Sequence, residues 1–415
     1  MDTLTERETE REDVPRRQDG SIDLNELARG LLEDCLNAVM SEQADELLGE
    51  GNRRNGYRER SLNTCVGRVT LRIPKLREGT YFPDDVLRPY SRTDRAMVGA
   101  IAETYRLGLS HRKIERAASK LGFGELSSSA VSRMCSELDA DVDELRGARF
   151  DMGFPYLWLD ATYVKCRSDG RVQGRAVVTA IAAGSDGSRR FVGLDCVDTE
   201  SRGSWRAFLL GLRRRGVEGG VRCVTSDDHA GLVRAIAEVY PEASWQRCIT
   251  HLERDVAGRL RRRADRARAM RAVSAVFKER DPGLVRAMYD RAVEEVGAIE
   301  RRAGELLEDA REDALCYLGF PAEHRLRLRT NNVQERANRE IKRRTNAVQV
   351  FPSEASLVRL VGAVCADMND EWAAGHFMDA AGMAGIGAVE PPAQPEEATM
   401  ERARILIAAA MAEAA

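Results

Sequence analysis

The sequence has no long hydrophobic run, since none of its apolar stretches approaches the ~20 residues that a membrane-spanning helix needs. Its first twenty residues, MDTLTERETEREDVPRRQDG, are acidic and polar and lack the apolar core of a signal peptide. Both absences argue against a membrane protein and against a secreted protein. We therefore expect a cytoplasmic protein with no membrane partner.

Several chemical signatures are also missing. The nine cysteines have no framework spacing, which predicts reduced thiols rather than disulfide bonds. There is no glycine-rich phosphate loop and no Ser-His-Asp nucleophile pattern. A bulk excess of positive charge is absent too, because the net charge is −3. Basic residues are instead concentrated locally: residues 324–345 carry eight Lys or Arg against two Glu, and residues 254–271 carry eight Arg. Such stripes suit a DNA-binding groove as well as they suit a solvated helix face.

Helical patterns dominate the first 150 residues. Residues 24–48 have leucines at helical spacing, with Ser21 or Asp23 as the predicted cap. The next segment, GNRRNGYRERSLNT, is predicted to be a polar, basic turn, and VGRVTLRIPKLREGTYFP alternates like a hairpin or an edge strand.

A helix-turn-helix pattern follows within residues 93–145. A helix from about 110 to 121, a break at Gly122 and Gly124, and a second helix capped by Ser127 or Ser128 fit this motif. The second helix would present Arg133 to a DNA groove. An ordinary helical hairpin explains the same pattern.

The pattern changes at residue 156. Three predicted strands, YLWLDATYVKC, GRAVVTAIAAG and RRFVGLDCVDT, are separated by SDGR and SDGS turns, which indicates an antiparallel meander. A helix, a strand (VRCVTSDD), a helix and a fifth strand (SWQRCIT) come next, and residues 252–318 are helical throughout. This is the element order of a ribonuclease-H-like α/β domain with a mixed five-stranded sheet. A helical block is inserted before its last helices.

These patterns predict seven segments. They are a disordered stretch (1–20), an N-terminal helical and hairpin region for dimerisation and DNA binding (21–92), a helix-turn-helix-like DNA-binding region (93–150), the first part of the ribonuclease-H-like core (151–251), the helical insertion (252–325), the last helices of the core (326–383), and a linker with a C-terminal helix (384–415).

Acidic residues stand at three places in this predicted core. Asp160 lies inside the first strand, Asp227 and Asp228 end the fourth, and Glu335 lies in the first turn of a late helix. Neighbouring strands would bring the aspartates together. Such carboxylates suit two Mg²⁺ ions ~3.5–4 Å apart, which activate the attacking oxygen and stabilise the leaving oxygen in phosphodiester cleavage.

Each acid also has a structural explanation. Asp160 could pair with Lys165 or an arginine, and either Asp227 or Asp228 could cap the next helix. Glu335 could form a capping box with Asn332.

The late helix carries a polar face. Asn331, Glu335, Asn338 and Lys342 share one side of it at helical spacing, flanked by Arg339 and Arg343. This face could hold one acid at a metal and basic groups along a DNA backbone. The alternative is a solvated helix laced with ion pairs, in which Glu340 pairs with Arg336 or Arg344.

WQRCITH contains Cys248 and His251, which form at most half a zinc site. His229 and Cys223 could add ligands but lie at the end of another strand, and no other nearby Cys or His completes a set of four. We therefore expect a structural pair near the active site.

Five ordered segments resemble one family: LWLDATYVK, TSDDHAGL, WQRCITH, TNNVQERANREIKRRT and VFPSEASLVRLVGAV. They resemble the mutator-type transposases, the IS256 family of bacterial insertion sequences. The resemblance implies a ribonuclease-H-like DDE core whose catalytic, metal-binding triad is Asp160, Asp227 and Glu335. It places the C-x2-H signature on Cys248 and His251, and the basic helix on Arg336, Asn338, Arg339, Lys342, Arg343 and Arg344. Asp228 departs from the small residue usual after the second acid, so the metal ligand is Asp227 or Asp228.

The implied function is metal-dependent cleavage and strand transfer at the terminal inverted repeats of the insertion sequence. The implied cofactor is a pair of Mg²⁺ ions, for which Mn²⁺ can substitute. The implied partners are terminal-repeat DNA, target DNA and at least one further copy of the chain, in a nucleoid-associated bacterial protein. A ribonuclease-H-like nuclease without strand transfer and a catalytically inactive DNA-binding regulator remain the alternatives.

Overall fold

The computed structural model describes residues 14–48, 53–64, 66–77, 79–83, 95–106, 108–109, 111–120, 128–135, 138–168, 170–373, 375–379, 382–383, 386 and 396–412. The chain divides into two compact units, Met1–Asp139 and Ala140–Ala415. None of the described helices is long and apolar enough to cross a membrane.

Unit 1 is built on a helix and a hairpin. Helix α1 (Leu24–Glu46) begins at Asp23, whose carboxylate accepts hydrogen bonds from the backbone N–H groups of Asn25 and Glu26. Strands β1 (Arg54–Thr64) and β2 (Gly67–Leu76) pair antiparallel. The buried residues that join helix and hairpin are Met40, Leu62, Val69, Leu71 and Ile73. Three further helices follow: α2 (Arg95–Arg106), α3 (His111–Lys120) and α4 (Ser128–Cys135).

The prediction of a polar turn at GNRRNGYRERSLNT is wrong, because residues 54–64 form strand β1. Most of β1 is solvent-exposed, so its polar side chains gave no alternating apolar signal. The two helices of the predicted helix-turn-helix are present as α3 and α4. The break at Gly122 and Gly124 lies outside the described residues. The same is true of residues 1–13 of the stretch expected to be disordered, whereas 14–20 form a turn and Arg16 bridges to Ile22.

Unit 2 contains a mixed five-stranded sheet. Its strands are β3 (Tyr156–Ser168), β4 (Arg171–Ala183), β5 (Arg189–Val197), β6 (Cys223–Ser226) and β7 (Ser244–Arg247), in the order β5-β4-β3-β6-β7. The first three strands pair antiparallel, as predicted for a meander. Strand β6 pairs parallel to both β3 and β7. The predicted order of strands and helices is confirmed.

Helices cover both faces of this sheet. Helices α6 (Arg202–Arg214) and α7 (Ala230–Val239) pack on one face over a core that includes Leu157 and Leu159. Helices α14 (Asn332–Val348) and α15 (Glu354–Ala373) cover the other, where Trp372 stacks on Phe191. Helix α5 (Asp139–Gly147) crosses the boundary between the two units.

The predicted helical insertion is also present. It comprises α8 (Ile249–Arg259), α9 (Arg263–Lys278), α10 (Pro282–Ile299), α11 (Arg301–Asp309), α12 (Arg311–Leu315) and α13 (Ala322–Leu328), with a 3₁₀ turn at Cys316–Gly319. The C-terminal helix α16 (Glu397–Ala412) packs on α9 and α10, and Arg271 donates to the backbone oxygens of Ala410 and Met411.

Candidate active site

The sheet register places two of the predicted acids at the same level. Strands β3 and β6 run parallel, and their last paired residues are Trp158 and Thr225. Asp160 stands two residues further along β3, and Asp227 stands two residues beyond Thr225, directly after β6 ends at Ser226. Because parallel strands advance by the same rise per residue, the two carboxylates emerge side by side where β6 ends. Their charges interact, and each carboxylate lies largely out of water.

Asp160 is held by hydrogen bonds and by no ion pair among the described residues. Its carboxylate accepts the backbone N–H of Ala161 at 2.9 Å and Nδ2 of Asn338 at 2.7 Å. Burial raises the pKa of Asp160 to about 7, and the charges of Asp227 and Glu200 add to the rise. The pairing with Lys165 considered as an alternative is not formed.

Asp227 and Asp228 have different surroundings. Burial raises the pKa of Asp227, while the neighbouring His251 and His229 oppose that rise. Asp228 instead accepts from Nη1 of the buried Arg247 at 2.9 Å. Neither aspartate caps α7, whose N-cap is His229. Asp227 is therefore the member of the pair that faces Asp160.

Helix α14 is anchored to the sheet through buried amides. Asn331 donates from Nδ2 to the backbone oxygen of Leu159 at 2.9 Å, and Gln334 donates to that of Trp158 at 2.7 Å. Asn338 reaches Asp160, as given above. Through these contacts one face of the helix meets β3 beside the Asp160 carboxylate. They fix the first turn of α14, and with it Glu335, next to the sheet.

Glu335 itself is less enclosed. Its side chain is 32% exposed, and its nearest cationic partner is Nη2 of Arg254, 3.8 Å from Oε1. The N-cap of α14 is Asn331, and no side chain caps this helix end, so the predicted capping box with Asn332 is absent. The Glu335 carboxylate therefore makes no strong ion pair and no helix-capping hydrogen bond among the described residues.

Cys248 ties the three acid-bearing segments together. Its backbone N–H donates to the oxygen of Ser226, directly before Asp227, at 2.8 Å. Its sulfur accepts the backbone N–H of Asn331 at 3.2 Å, and Asn331 in turn binds Leu159 beside Asp160. Burial raises the pKa of the Cys248 thiol. The thiol thus stays protonated and acts as a structural acceptor, one residue before helix α8, which carries His251.

Some buried polar atoms around the two aspartates have no hydrogen-bond partner among the described protein groups. Four of the twelve buried side-chain atoms without a hydrogen-bond partner in the described structure lie here: Nδ1 of His229, Nδ1 of His251, Oδ1 of Asn331 and Oδ1 of Asn338. Unpaired buried polar atoms are costly, and they fit a site that takes ligands from solvent. The donor chemistry, carboxylate and amide oxygens, suits a hard divalent cation. As placed, no group of three or more His, Cys, Asp or Glu side chains in the described residues is arranged to hold a metal ion.

Glu200 is a further acid near the two aspartates, one that the sequence did not single out. It follows β5, and its charge acts on Asp160. Burial raises its pKa, which the charge of His229 opposes and that of Asp227 reinforces. The loop reaches the site because Gly231, in the first turn of α7, leaves room: a Cβ there would lie 2.8 Å from the backbone nitrogen of Arg202. Sequence position alone gave no sign of this close approach.

The predicted DNA-binding residues differ in availability. Arg336, Arg339 and Lys342 are exposed on α14, and Arg133 is exposed on α4. Arg343 and Arg344 both pair with Glu340, and Arg344 also contacts Asp367 at 3.2 Å with a side chain only 10% exposed. A DNA contact by Arg344 would therefore have to break two ion pairs.

Similarity to known proteins puts the chain in a class of DNA-processing enzymes, the transposases. Residues 4–375 match the family described as Transposase, Mutator family, and the chain belongs to that family. The resemblance noted in the sequence is thereby confirmed.

Three relatives illustrate how far the similarity extends. The transposase for insertion sequence element IS1081 of Mycobacterium tuberculosis is 39% identical over 85% of this chain and 86% of its own. The transposase for ISRM5 of Rhizobium meliloti is 35% identical over 84% and 88%. The transposase for IS256 in transposon Tn4001 of Staphylococcus aureus is 32% identical over 84% and 91%. Each similarity spans both units.

Proposed function

We propose that this chain cleaves DNA at the terminal inverted repeats of its insertion sequence and joins the freed ends to target DNA. The observation that best supports the proposal is the β3–β6 register, which brings Asp160 and Asp227 to neighbouring positions. Buried amides also join β3 to the first turn of α14, where Glu335 lies. The sheet order β5-β4-β3-β6-β7, with three antiparallel strands and two parallel ones, supports a ribonuclease-H-like core.

In this proposal Asp160, Asp227 and Glu335 hold two Mg²⁺ ions, or Mn²⁺ in their place. Bound there, the ions would lower the pKa of an attacking water or hydroxyl and stabilise the leaving oxygen. Asn338 holds the Asp160 carboxylate in place through its amide. Glu335 joins the pair by leaving Arg254, a weak, exposed contact at 3.8 Å.

Asp227 is our choice for the second ligand. Asp228 is committed to Arg247, whose side chain is only 7% exposed and also contacts Asp255. Removing Asp228 from a buried arginine would leave that charge partly uncompensated, which is costly. Asp227 has no ion-pair partner among the described residues and faces Asp160.

The rest of α14 would guide the DNA. Arg336, Arg339 and Lys342 are exposed along the helix that begins at the acids. Neutralising phosphates would supply affinity without reading sequence, and the helices α3 and α4 of unit 1 would supply terminal-repeat recognition.

The test uses duplex DNA that carries the ends of the insertion sequence, incubated with the full chain and Mg²⁺ or Mn²⁺. We expect a nick with a free 3′-hydroxyl at each end and a joined product with added target DNA. Replacing Asp160 by Asn should abolish both products. Cleavage without joining would indicate the nuclease alternative instead. Binding without cleavage, unchanged by Asp160→Asn, would indicate a DNA-binding regulator.

A further inference from the structure

A cavity of about 530 Å³ lies beside the candidate active site, and its role in the proposed reaction is open. It is bounded by β3 at Tyr163 and Lys165, by the second half of α14 at Lys342 and Asn346, and by Gln349. We call it the edge pocket. All of its walls belong to unit 2.

The edge pocket exists because strand β3 extends beyond the end of its neighbour β6. Pairing with β6 ends at Trp158, and on that side β3 is next joined at Cys166, by a parallel bridge to Phe351. The chain of Phe351 donates to Lys165 and accepts from Arg167, which closes the far end of the gap. The gap between these two pairings is the opening that α14 passes over.

The loop that closes the edge pocket is strained. Gln349 has φ 69° and ψ −60°, and it is the one non-glycine residue with positive φ among the described residues. The N–H of Val350 donates to the oxygen of Val348 at 2.9 Å, so Gln349 is the centre of a classic γ-turn. This conformation is rare and costs free energy, and such strain concentrates at ligand sites.

The lining has the chemistry of a nucleotide site. Tyr163 is 56% exposed, and its hydroxyl lies near the Glu200 carboxylate. Lys165 and Lys342 supply positive charge, and the described lining contains no acid. Asn346 and Gln349 supply amide donors and acceptors. The volume lies within the range of small-ligand pockets.

The edge pocket is also at a useful distance from the acids. Tyr163 is three residues beyond Asp160, or ~10 Å along a strand, and this odd spacing directs its side chain to the other face of β3, where its ring lies beside Gly174. A DNA strand that reaches both would therefore pass around the open edge of β3. That span corresponds to about three stacked nucleotides. Lys342 lies one helical turn beyond Asn338, which binds Asp160, so the two sites share a wall.

We propose that the edge pocket binds an unpaired nucleotide of the DNA end, with its base stacked on Tyr163 and its phosphates near Lys165 and Lys342. The proposal rests on the proposed function, since it assumes DNA at the acids. Base stacking on an aromatic ring tolerates any base, so the pocket would favour a frayed end rather than a sequence.

Binding is measured with the full chain and no divalent cation, so that no cleavage occurs. One probe is a blunt element-end duplex, and the other has three unpaired nucleotides with 2-aminopurine placed at each in turn. We expect the frayed probe to bind about 5- to 100-fold more tightly and its 2-aminopurine fluorescence to be quenched. Tyr163→Ala should remove both the preference and the quenching.

Two matched variants separate the effect of the Tyr163 ring from the effects of its hydroxyl and of truncating an exposed side chain. Tyr163→Phe loses the contact with Glu200 but keeps the ring, so it should retain both signals. Val172→Ala truncates another exposed side chain, 51% exposed on neighbouring β4 and outside the pocket, and should bind as the wild type does. The proposal is overturned if the wild type shows no preference and no quenching, if Tyr163→Ala behaves as the wild type, or if Tyr163→Phe loses as much as Tyr163→Ala.

These outcomes are separable from failure of the proposed function. If Asp160→Asn leaves metal-dependent cleavage unchanged, the catalytic assignment fails, whatever the edge pocket binds. If cleavage requires Asp160 but Tyr163→Ala binds both probes as the wild type does, the catalytic assignment stands and the pocket proposal fails.

Discussion

At the scale of single residues, the burial of the Asp160 carboxylate beside Asp227 costs the fold free energy. Asp160 lies largely out of water beside Asp227, and burial raises its pKa to about 7. A carboxyl whose pKa is higher in the folded state than in the unfolded state favours folding only while it is protonated. The free energy of unfolding should therefore fall as pH rises from about 4 to about 7, and level off above that.

Asp160→Asn should remove the part of this pH dependence that Asp160 causes, while Asp227 and Glu200, whose pKa values burial also raises, keep theirs. At pH 8 with EDTA, we expect the variant to be more stable than the wild type by about 1–3 kcal/mol, with a smaller gain at pH 5. Urea unfolding at the two pH values measures this.

Asp186→Asn is the control for this experiment. Partial burial opposes the shift, but hydrogen bonds from Ser188 hold the pKa of Asp186 below its usual range, so the same replacement there should not stabilise. Equal gains at both pH values for Asp160→Asn would contradict the account.

Cys248 acts through its sulfur in this account. Cys248→Ala leaves the N–H of Asn331 without its acceptor, and we expect a loss of about 1–2 kcal/mol in unfolding free energy together with slower DNA cleavage. Cys248→Ser keeps an acceptor and should recover part of both. Cys35 is exposed, so Cys35→Ala should change neither. Zinc-dependent stability of the wild type that is lost in Cys248→Ser would instead support a metal role.

At the scale of elements, the strands and helices of unit 2 were predictable because their apolar patterns are strong. The polar face of α14 was also readable, since Asn331 and Asn338 recur at helical spacing and both meet β3. The pairing of Trp158 with Thr225 was not readable, because register depends on contacts distant in sequence. Glu200 was missed for the same reason. Strand β1 was missed because its exposed polar residues carry little strand signal.

Helix packing in the insertion gives a test at this scale. A Cβ at Gly304 in α11 would lie 2.6 Å from Cα of Gly297 in α10, so Gly304→Ala should force the helices apart and cost about 1–3 kcal/mol. In α6, Gly211 has nothing within 4 Å of the same position, and Gly211→Ala should stabilise by about 0.5–1 kcal/mol. Thermal unfolding compares the two. A stabilising Gly304→Ala would show that this helix contact is looser than described.

At the scale of the whole molecule, charge is distributed unevenly. The net charge is −3, yet α14 presents exposed basic residues beside the acids. DNA affinity should therefore depend on a few local contacts rather than on bulk charge.

The salt dependence of DNA binding tests this distribution. Arg336 and Arg339 are exposed and have no ion-pair partner among the described residues, so Arg336→Ala and Arg339→Ala should each reduce the slope of log K against log salt by about 1. Arg301 lies in the insertion, 80% exposed and paired with Glu305, and Arg301→Ala should leave the slope unchanged. If Arg336→Ala and Arg339→Ala keep the wild-type slope, as Arg301→Ala should, the DNA does not contact these two arginines of α14.

The most direct measurement for the account as a whole is the affinity of the full chain for Mn²⁺. It is measured by calorimetric titration in the absence of DNA. We expect binding by the wild type and by Asp228→Asn. Asp160→Asn and Asp227→Asn should weaken it at least ~10-fold, and Glu335→Gln should weaken it as well. Undiminished Mn²⁺ binding by Asp160→Asn and Asp227→Asn would contradict the assignment of these carboxylates as metal ligands.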